Sequence, residues 1–320
     1  MRIGQNPVKA IEQIAPPARV TVVVISYIPF LAGYYAQSLE VLKLCLGSLH
    51  ANTEGEYDLL VFDNGSCTEA RDYLEGEQAA GRIQYLFLAE RNLGKSAAWN
   101  MAFAAAPGEW VAYADSDVYF YPGWLPVSLA ALQAFPKAGM VTAMPMLTPE
   151  KYSTATLDWA QKARGAKLER GQLLPWEDFW RHARSLGDSE GDARPFYEEN
   201  PAVRLNHKDA SYLVGSAHFQ FMAPKAVLIQ ALPLPAERPM GRVRLLDEKI
   251  NSLGYLRLST PEWHVQHLGN TIPNPGDLLG EASSLSVSPS KRSRRLWGWK
   301  PLRKLLQWLY DRIFNILYRN

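Results

Sequence analysis

The stretch EWVAYADSDVYFYPGWL, residues 109–125, decides how the chain is read. Residues 110–114 form a short apolar run with the composition of a buried strand, and Pro122-Gly123 marks a turn beyond it. Side chains alternate along an extended segment, so Asp115 and Asp117 project to one side and Ser116 to the other. Two carboxylates on one face past the end of a strand are oxygen ligands for a hard divalent cation, which can in turn hold phosphate oxygens. An Asp-Ser-Asp turn that binds nothing uses the same residues. The rest of the chain decides between the two.

Upstream, VTVVVIS at 20–26 is a continuous apolar run, the mark of a parallel strand buried on both faces. Leu39, Leu42, Leu46 and Leu49 then recur at helical spacing within 37–50. A second strand is expected at 58–62, a helix at 68–76, a third strand at 83–88 and an Ala-rich helix at 96–106. Strand and helix alternate at short intervals, which predicts a Rossmann-like, doubly wound, mostly parallel α/β sheet with helices on both faces. Ligands of such sheets sit beyond the carboxyl ends of strands. Ser26-Tyr27, Asp63-Asn64 and Asp115/Asp117 all fall there, which points to a nucleotide crevice.

Downstream of Pro149 the pattern loosens into a charged insert, 149–207, with Trp159, Trp176 and Trp180. Glu177 and Asp178 read as the acidic first turn of a helix rather than as catalytic carboxylates. Strand is expected again at 211–222, helix at 225–231 and 246–253, and strand at 256–260 and 263–267. Residues 1–18 read as an arm and 271–290, rich in Pro, Gly and Ser, as a linker.

Composition sets the outer bounds. A chain of 320 residues, 47% hydrophobic and 21% charged, reads as soluble and globular. A net charge of +2 argues neither for nor against nucleic acid, and none is expected as a partner. Cys45 and Cys67 are the only cysteines, too few for a Cys-rich zinc site or a disulfide framework, and read as reduced thiols in a cytosolic protein. Residues 1–19 lack the apolar core of a secretory signal. Residues 20–39 approach the ~20 apolar residues of a membrane span. Pro29, Gly33 and the polar Tyr34, Tyr35, Gln37 and Ser38 argue against one.

Two phosphate-binding designs fail. Gly94-Lys95-Ser96 has the end of a P-loop, but that motif needs glycine at position 89, which is Ala89. No G-x-G-x-x-G follows the first strand, so a dinucleotide fingerprint is absent too.

Four sets of residues, in order, carry a resemblance. VTVVVISY (20–27), VFDNGS (61–66), RNLG (91–94) with Asn100, and DSD (115–117) with PGWL (122–125) resemble the inverting family 2 glycosyltransferases of the GT-A fold. GSAHFQFM (215–222), Asp247-Glu248 before LGY (253–255), and HLGN (267–270) extend the likeness, so that it covers roughly 19–270 apart from the insert. The resemblance implies a sugar moved from a nucleotide-diphosphate sugar, UDP-linked by preference, to a glycan or lipid-linked acceptor. Asp63 would accept a hydrogen bond from the donor's base, with Ser26 and Tyr27 lining that pocket. Asn92 and Gly94 would pack on the nucleotide, and Lys95 either meets a phosphate or is a solvated helix start. Asp115 would face the ribose or the metal, Asp117 would ligate the metal, and His267 would add an imidazole that suits Mn²⁺ better than Mg²⁺. His264 would be structural. Asp247 and Glu248 are the candidates for general base, and their order, Asp before Glu, is the reverse of the family's usual Glu-Asp. A noncatalytic sugar-nucleotide or glycan-binding module of this fold, or a nucleotidyltransferase, stays open.

At the far end, KRSRR (291–295) precedes Leu302, Leu305, Leu306, Leu309, Ile313, Ile316 and Leu317, an apolar helical stripe bordered by Trp and Tyr. Such a basic amphipathic helix, 291–320, fits an anionic membrane interface, and fits packing on protein equally. The first alternative places the protein peripherally on the inner face of a membrane.

Overall fold

The computed structural model describes residues 3–11, 13–237, 241–274 and 278. Chain contacts divide Met1–Leu285 from Ser286–Asn320, and the fold described is that of the first unit. The expected helix at 291–320, and the linker apart from 271–274 and 278, lie outside the described residues.

The first half alternates as expected: β1 Val20–Ser26, α1 Ser38–Asn52, β2 Asp58–Asp63, α2 Thr68–Ala79, β3 Tyr85–Leu88, α3 Lys95–Ala105 and β4 Trp110–Asp115. There follow β5 Val118–Phe120, α4 Trp124–Ala134, β6 Ala138–Thr142, α5 Thr154–Lys162, β7 Ala166–Gly171, α6 Trp176–Ser185, α7 Glu190–Glu199, β8 Ala202–His207, β9 Ala210–Val214, β10 Gln220–Pro224, α8 Lys225–Ala231, α9 Arg244–Ser252, β11 Leu256–Ser259 and β12 Val265–His267.

Among the described residues, ten strands make one sheet in the order β3-β2-β1-β4-β10-β6-β11-β9-β8-β7. The β3-β2-β1-β4 half is parallel throughout, whereas β10 runs antiparallel to both β4 and β6. Alternation sorts the side chains into two layers. Val20, Val22 and Val24 of β1 join Leu59 and Val61 of β2 against α1, α2, α4 and α5. Val23, Ile25, Leu60 and Phe62 face the opposite way, against Trp99 and Phe103 of α3 and the apolar faces of α8 and α9. Burial on both faces is why these strands read as unbroken apolar runs.

Three expectations need correction. The stretch 211–222 is not one strand: β9 and β10 lie apart in the sheet, and the segment 215–219 between them crosses its rim. The insert is not loose. Its β7 and β8 extend the main sheet through β9, and α6 and α7 pack on each other through Phe179, Trp176 and Tyr197. The acidic loop is also shorter than expected, because β5 begins directly after Asp117 and pairs with β12 in a separate two-stranded sheet.

At the rim, the loop after β2 presses on the loop before α3. Gly65 has φ +86°, and a Cβ there would lie 2.6 Å from the backbone carbon of Arg91. The Asn64 side chain completes the seam, accepting from the Leu93 amide at 2.9 Å and donating to Asn92 at 3.0 Å. Gly65→Ala is therefore expected to cost about 1–3 kcal/mol from backbone strain alone, read as a lowered urea midpoint.

Candidate functional site

A cleft of about 990 Å³ opens along the rim. Its wall includes Lys95, Asp115, Asp117, Asp247 and His267 of the expected site residues. Ser26, Tyr27, Asp63, Asn92, Gly94 and Glu248 are not part of that wall.

Asp115 ends β4 and is already engaged. The Lys95 ammonium lies 2.6 Å from one of its oxygens and 2.7 Å from the other, and the Tyr113 hydroxyl donates to it as well. Lys95 thus meets a carboxylate here, neither a phosphate nor open solvent, and its ammonium also sits over the rings of Trp99 and Tyr113. Burial and the Asp115 charge push the Tyr113 phenol well above its ordinary range, so it stays a donor.

Asp117 is placed by the ribbon of β5 and β12, whose register sets His267 opposite Val118, while the Leu268 amide donates to the Asp117 carbonyl at 2.7 Å. One carboxylate oxygen, Oδ2, lies 3.3 Å from His267 Nε2, and the other, Oδ1, is buried without a hydrogen-bond partner among the described residues. On the far side of the ring, Ser185 Oγ lies 2.9 Å from His267 Nδ1. That hydroxyl spends its only proton on the His182 carbonyl at 2.6 Å, so it meets Nδ1 with a lone pair. The proton on Nδ1 is thereby fixed and Nε2 is aimed at Asp117. His182 itself, pushed down to about 3 by burial and then by the charges of His267 and His218, is a neutral ring packed against Phe219.

Among the described residues no three His, Cys, Asp or Glu side chains are arranged to enclose a metal ion as they stand. The arrangement offers a pair, Asp117 with His267, beside an Asp115 that Lys95 occupies. The orphaned Oδ1 of Asp117 is what suits these residues to a cation, because a buried carboxylate oxygen without a donor is costly.

The residues expected at the donor's base form a separate cluster. Ser26 and Asp63 are register partners at the ends of β1 and β2, both fully buried, and Ser26 Oγ and Asp63 Oδ1 have no partner among the described residues. Oδ2 of Asp63 accepts from the Ser66 amide at 3.1 Å and lies 3.4 Å from Arg71 Nε. Tyr27 is exposed beside them. The Asn92 side chain is used locally, accepting from the Gly94 amide at 2.8 Å, and so shapes the loop. Asn100 likewise brackets the backbone of Leu234.

The opposite end of the cleft holds Asp247, in the first turn of α9. Arg257 Nη2 lies 2.9 Å from its Oδ1, and His218 Nδ1 lies 3.3 Å from its Oδ2. Arg257 is almost wholly buried and also donates to the carbonyls of Tyr152 and Ser216. Asp247 and Glu248 are neighbours in sequence, but only Asp247 reaches the cleft. His218, Arg257 and Ser185 carry no motif of their own: the first sits in a quoted stretch without a role, and an arginine within LRLS was the one sign that a buried charge needed a partner. His264 contributes backbone hydrogen bonds to Tyr121 and Ala143.

The tryptophans do not line the cleft. Trp176 stacks on Trp180 and carries the Arg194 guanidinium 3.7 Å above its ring. The cleft's aromatic lining includes Phe179 and Phe196, stacked 5.9 Å apart, as well as Tyr34, Tyr152 and Phe219. Cys45 is buried and Cys67 half-buried, both free, and burial raises the Cys45 thiol far above its usual range. No helix among the described residues is long and apolar enough to cross a membrane.

In an α/β sheet of this kind, the rim beyond the strand ends, where the paired acidic residues lie, is where ligands bind. Residues 34–183, just under half of the chain, match the model of Glycosyl transferase family 2. An uncharacterised glycosyltransferase of Nostoc sp. is 32% identical over 130 residues, 40% of this chain and 38% of that protein, so the chain spans well under half the length of this curated relative. Among solved structures, S. aureus TarS 1–349 matches at 15% identity and a TM-score of 0.48, over 81% of this chain and 62% of that one. The mannosyltransferase PcManGT of Pyrobaculum calidifontis, solved with GDP-Man and Mn²⁺, matches at 16% and 0.49, over 82% and 61%.

The Asp117–His267 contact has a pH signature in metal-free protein. Burial raises the Asp117 carboxyl, but His267 and then Lys95 outweigh it and hold it below 3.8. Burial lowers the His267 ring, but Asp117 and then Asp115 outweigh it and hold it above 6.5. The raised histidine stabilises fully below 6.5 and loses this as pH rises through its folded value; the depressed aspartate stabilises above 3.8 and loses this as pH falls through its own. The stability difference between wild type and His267→Gln, measured by urea denaturation in EDTA, is expected to be largest between pH 3.8 and 6.5.

Proposed function

We propose that the chain is a metal-dependent, inverting glycosyltransferase that moves a sugar from a UDP-sugar to a hydroxyl of a glycan or lipid-linked acceptor. The observation that carries this reading is the half-satisfied Asp117 beside His267 inside the cleft of a family 2 domain. Asp117 and His267 would hold Mn²⁺, with Mg²⁺ as the lesser fit, and Asp115 stands next to them. The cation neutralises charge on the leaving diphosphate without proton transfer.

The chain's own residues supply the rest. Asp63 Oδ1 and Ser26 Oγ, both orphaned and adjacent, suit the polar edge of a base, with Tyr27 as the exposed ring beside them. Asn92 and Gly94 set the loop on which the nucleotide would rest, and the Lys95 ammonium adds positive charge at the diphosphate. Asp247, rather than Glu248, provides the carboxylate at the acceptor end, where proton removal from the attacking hydroxyl is needed. Phe179 and Phe196 offer flat apolar faces to a sugar ring. Residues 19–270 would constitute the transferase domain, with 149–207 on its acceptor side, and 271–290 would link it to 291–320.

Release of UDP from a panel of UDP-sugars with Mn²⁺ is expected for wild type and lost in Asp117→Ala. UDP at about 100 times its dissociation constant should stabilise wild type by about 2.7 kcal/mol, and Mn²⁺ should deepen the thermal shift in wild type alone. Binding without turnover for any donor would leave a noncatalytic module instead. NTP-dependent release of pyrophosphate would point to a nucleotidyltransferase.

The stretch 291–320 is proposed to hold the protein peripherally on an anionic, cytoplasmic membrane face through its basic residues and apolar stripe. Co-sedimentation with vesicles containing phosphatidylserine should fall on deletion of 291–320, and unchanged sedimentation would remove this part of the reading.

A further inference from the structure

Asp247 has the position of a base but not the freedom of one. Its carboxylate faces Arg257 on one oxygen and His218 on the other, and its side chain is only 8% exposed. His218, which faces that carboxylate through Nδ1, also lines the cleft and is 36% exposed. Of the two groups, the imidazole is the more open to a hydroxyl entering the cleft.

The backbone around His218 is held tightly. Gly215 has φ +114°, and a Cβ there would strike the Thr148 side chain at 2.4 Å, so the rim segment turns at the one residue that fits. On the other side of the turn, the Ala217 amide donates to Thr142 Oγ1 at 2.7 Å, and that hydroxyl donates to the Gln220 carbonyl at 3.0 Å. The Ser216 carbonyl is taken by Arg257. The ring is therefore presented by a fixed segment, with Nδ1 turned to Asp247 and no partner to Nε2 among the described residues. A carboxylate accepts only, so Nδ1 carries the proton in that contact and Nε2 keeps its lone pair. Arg257, in turn, fixes the carboxylate.

We infer that His218 Nε2, not Asp247, is the atom that takes the proton from the acceptor hydroxyl, and that Asp247 and Arg257 are positioning residues behind it. The inference rests on the transferase reading above. In the step, the hydroxyl oxygen forms its bond to the anomeric carbon as the bond from that carbon to the diphosphate oxygen breaks. The pair of electrons of the broken bond leaves on the nucleoside diphosphate. The hydroxyl proton passes to Nε2, giving an imidazolium that Asp247 faces, and is returned to water after product leaves. No electron donor or acceptor is required.

The test uses the full chain with Mn²⁺, and UDP release from the best UDP-sugar into water or onto octyl β-D-glucoside as the probe hydroxyl. His218→Ala should lower kcat by about 100-fold or more, the scale of general-base catalysis, with UDP affinity by calorimetry unchanged within about twofold. Added imidazole should restore part of the rate to H218A. His218→Gln, which keeps a donor toward Asp247 and fills the space but has no basic atom, should be as slow as H218A and unresponsive to imidazole. H218A or H218Q within about threefold of wild type, or an H218A defect that imidazole does not relieve, overturns the assignment. No turnover by wild type with any UDP-sugar would instead sink the transferase reading and this inference with it, so the two failures are told apart by the wild-type rate.

Discussion

Asp117 faces His267 only because β5 and β12 pair as a ribbon, and the cleft is organised around that contact. The ribbon starts at the residue after Asp117 and ends at His267, so the carboxylate and the imidazole are held by backbone hydrogen bonds rather than by side-chain preference. Ser185 from α6 then fixes the ring from behind. Strand pairing, helix packing and one hydroxyl together leave a single oxygen of Asp117 without a donor. A buried carboxylate oxygen in that state calls for a partner, such as a water, a donor group or a cation.

The same economy runs along the cleft. Asp115 is matched by Lys95 and Tyr113, and Asp247 by Arg257 and His218. Each carboxylate is compensated by a partner from a different element, since taking a charge out of water without one costs several kcal/mol. Arg257 illustrates the constraint most plainly. Burial lowers its pKa, the Asp247 charge opposes that, and Nη1 and Nη2 donate to the backbone carbonyls of Tyr152 and Ser216. A charge placed in that way holds α9, β11 and the rim segment at 215–219 in one arrangement, which is why the Asp247 end of the cleft is as fixed as the Asp117 end.

The parallel half of the fold was legible because its strands are buried on both faces. The run at 20–26 and the strand at 58–62 matched β1 and β2 nearly residue for residue, and 225–231 matched α8. The second half was less so. β5 is three residues long, β7 is largely exposed and charged, and β9 and β10 adjoin in sequence while lying apart in the sheet. No period in the side chains announces such strands, because their faces are set by neighbours from distant parts of the chain. The tryptophans of the insert face elsewhere: Trp176 is taken up by Trp180 and Arg194, and Phe179 and Phe196 reach the cleft.

By itself the order of residues determined the alternation of strand and helix, the acidic strand ends at Asp63, Asp115 and Asp117, and the family likeness those motifs carry. These are local facts, written in burial patterns and in residues a few positions apart. Only the tertiary structure decided which groups act together: Asp117 with His267 and Ser185, Lys95 with Asp115, and His218 with Asp247 and Arg257. Those pairings join residues carried by different strands, helices and loops. A side chain's charge is written in the sequence, but its partner depends on how the sheet closes and which oxygen is left facing the cleft.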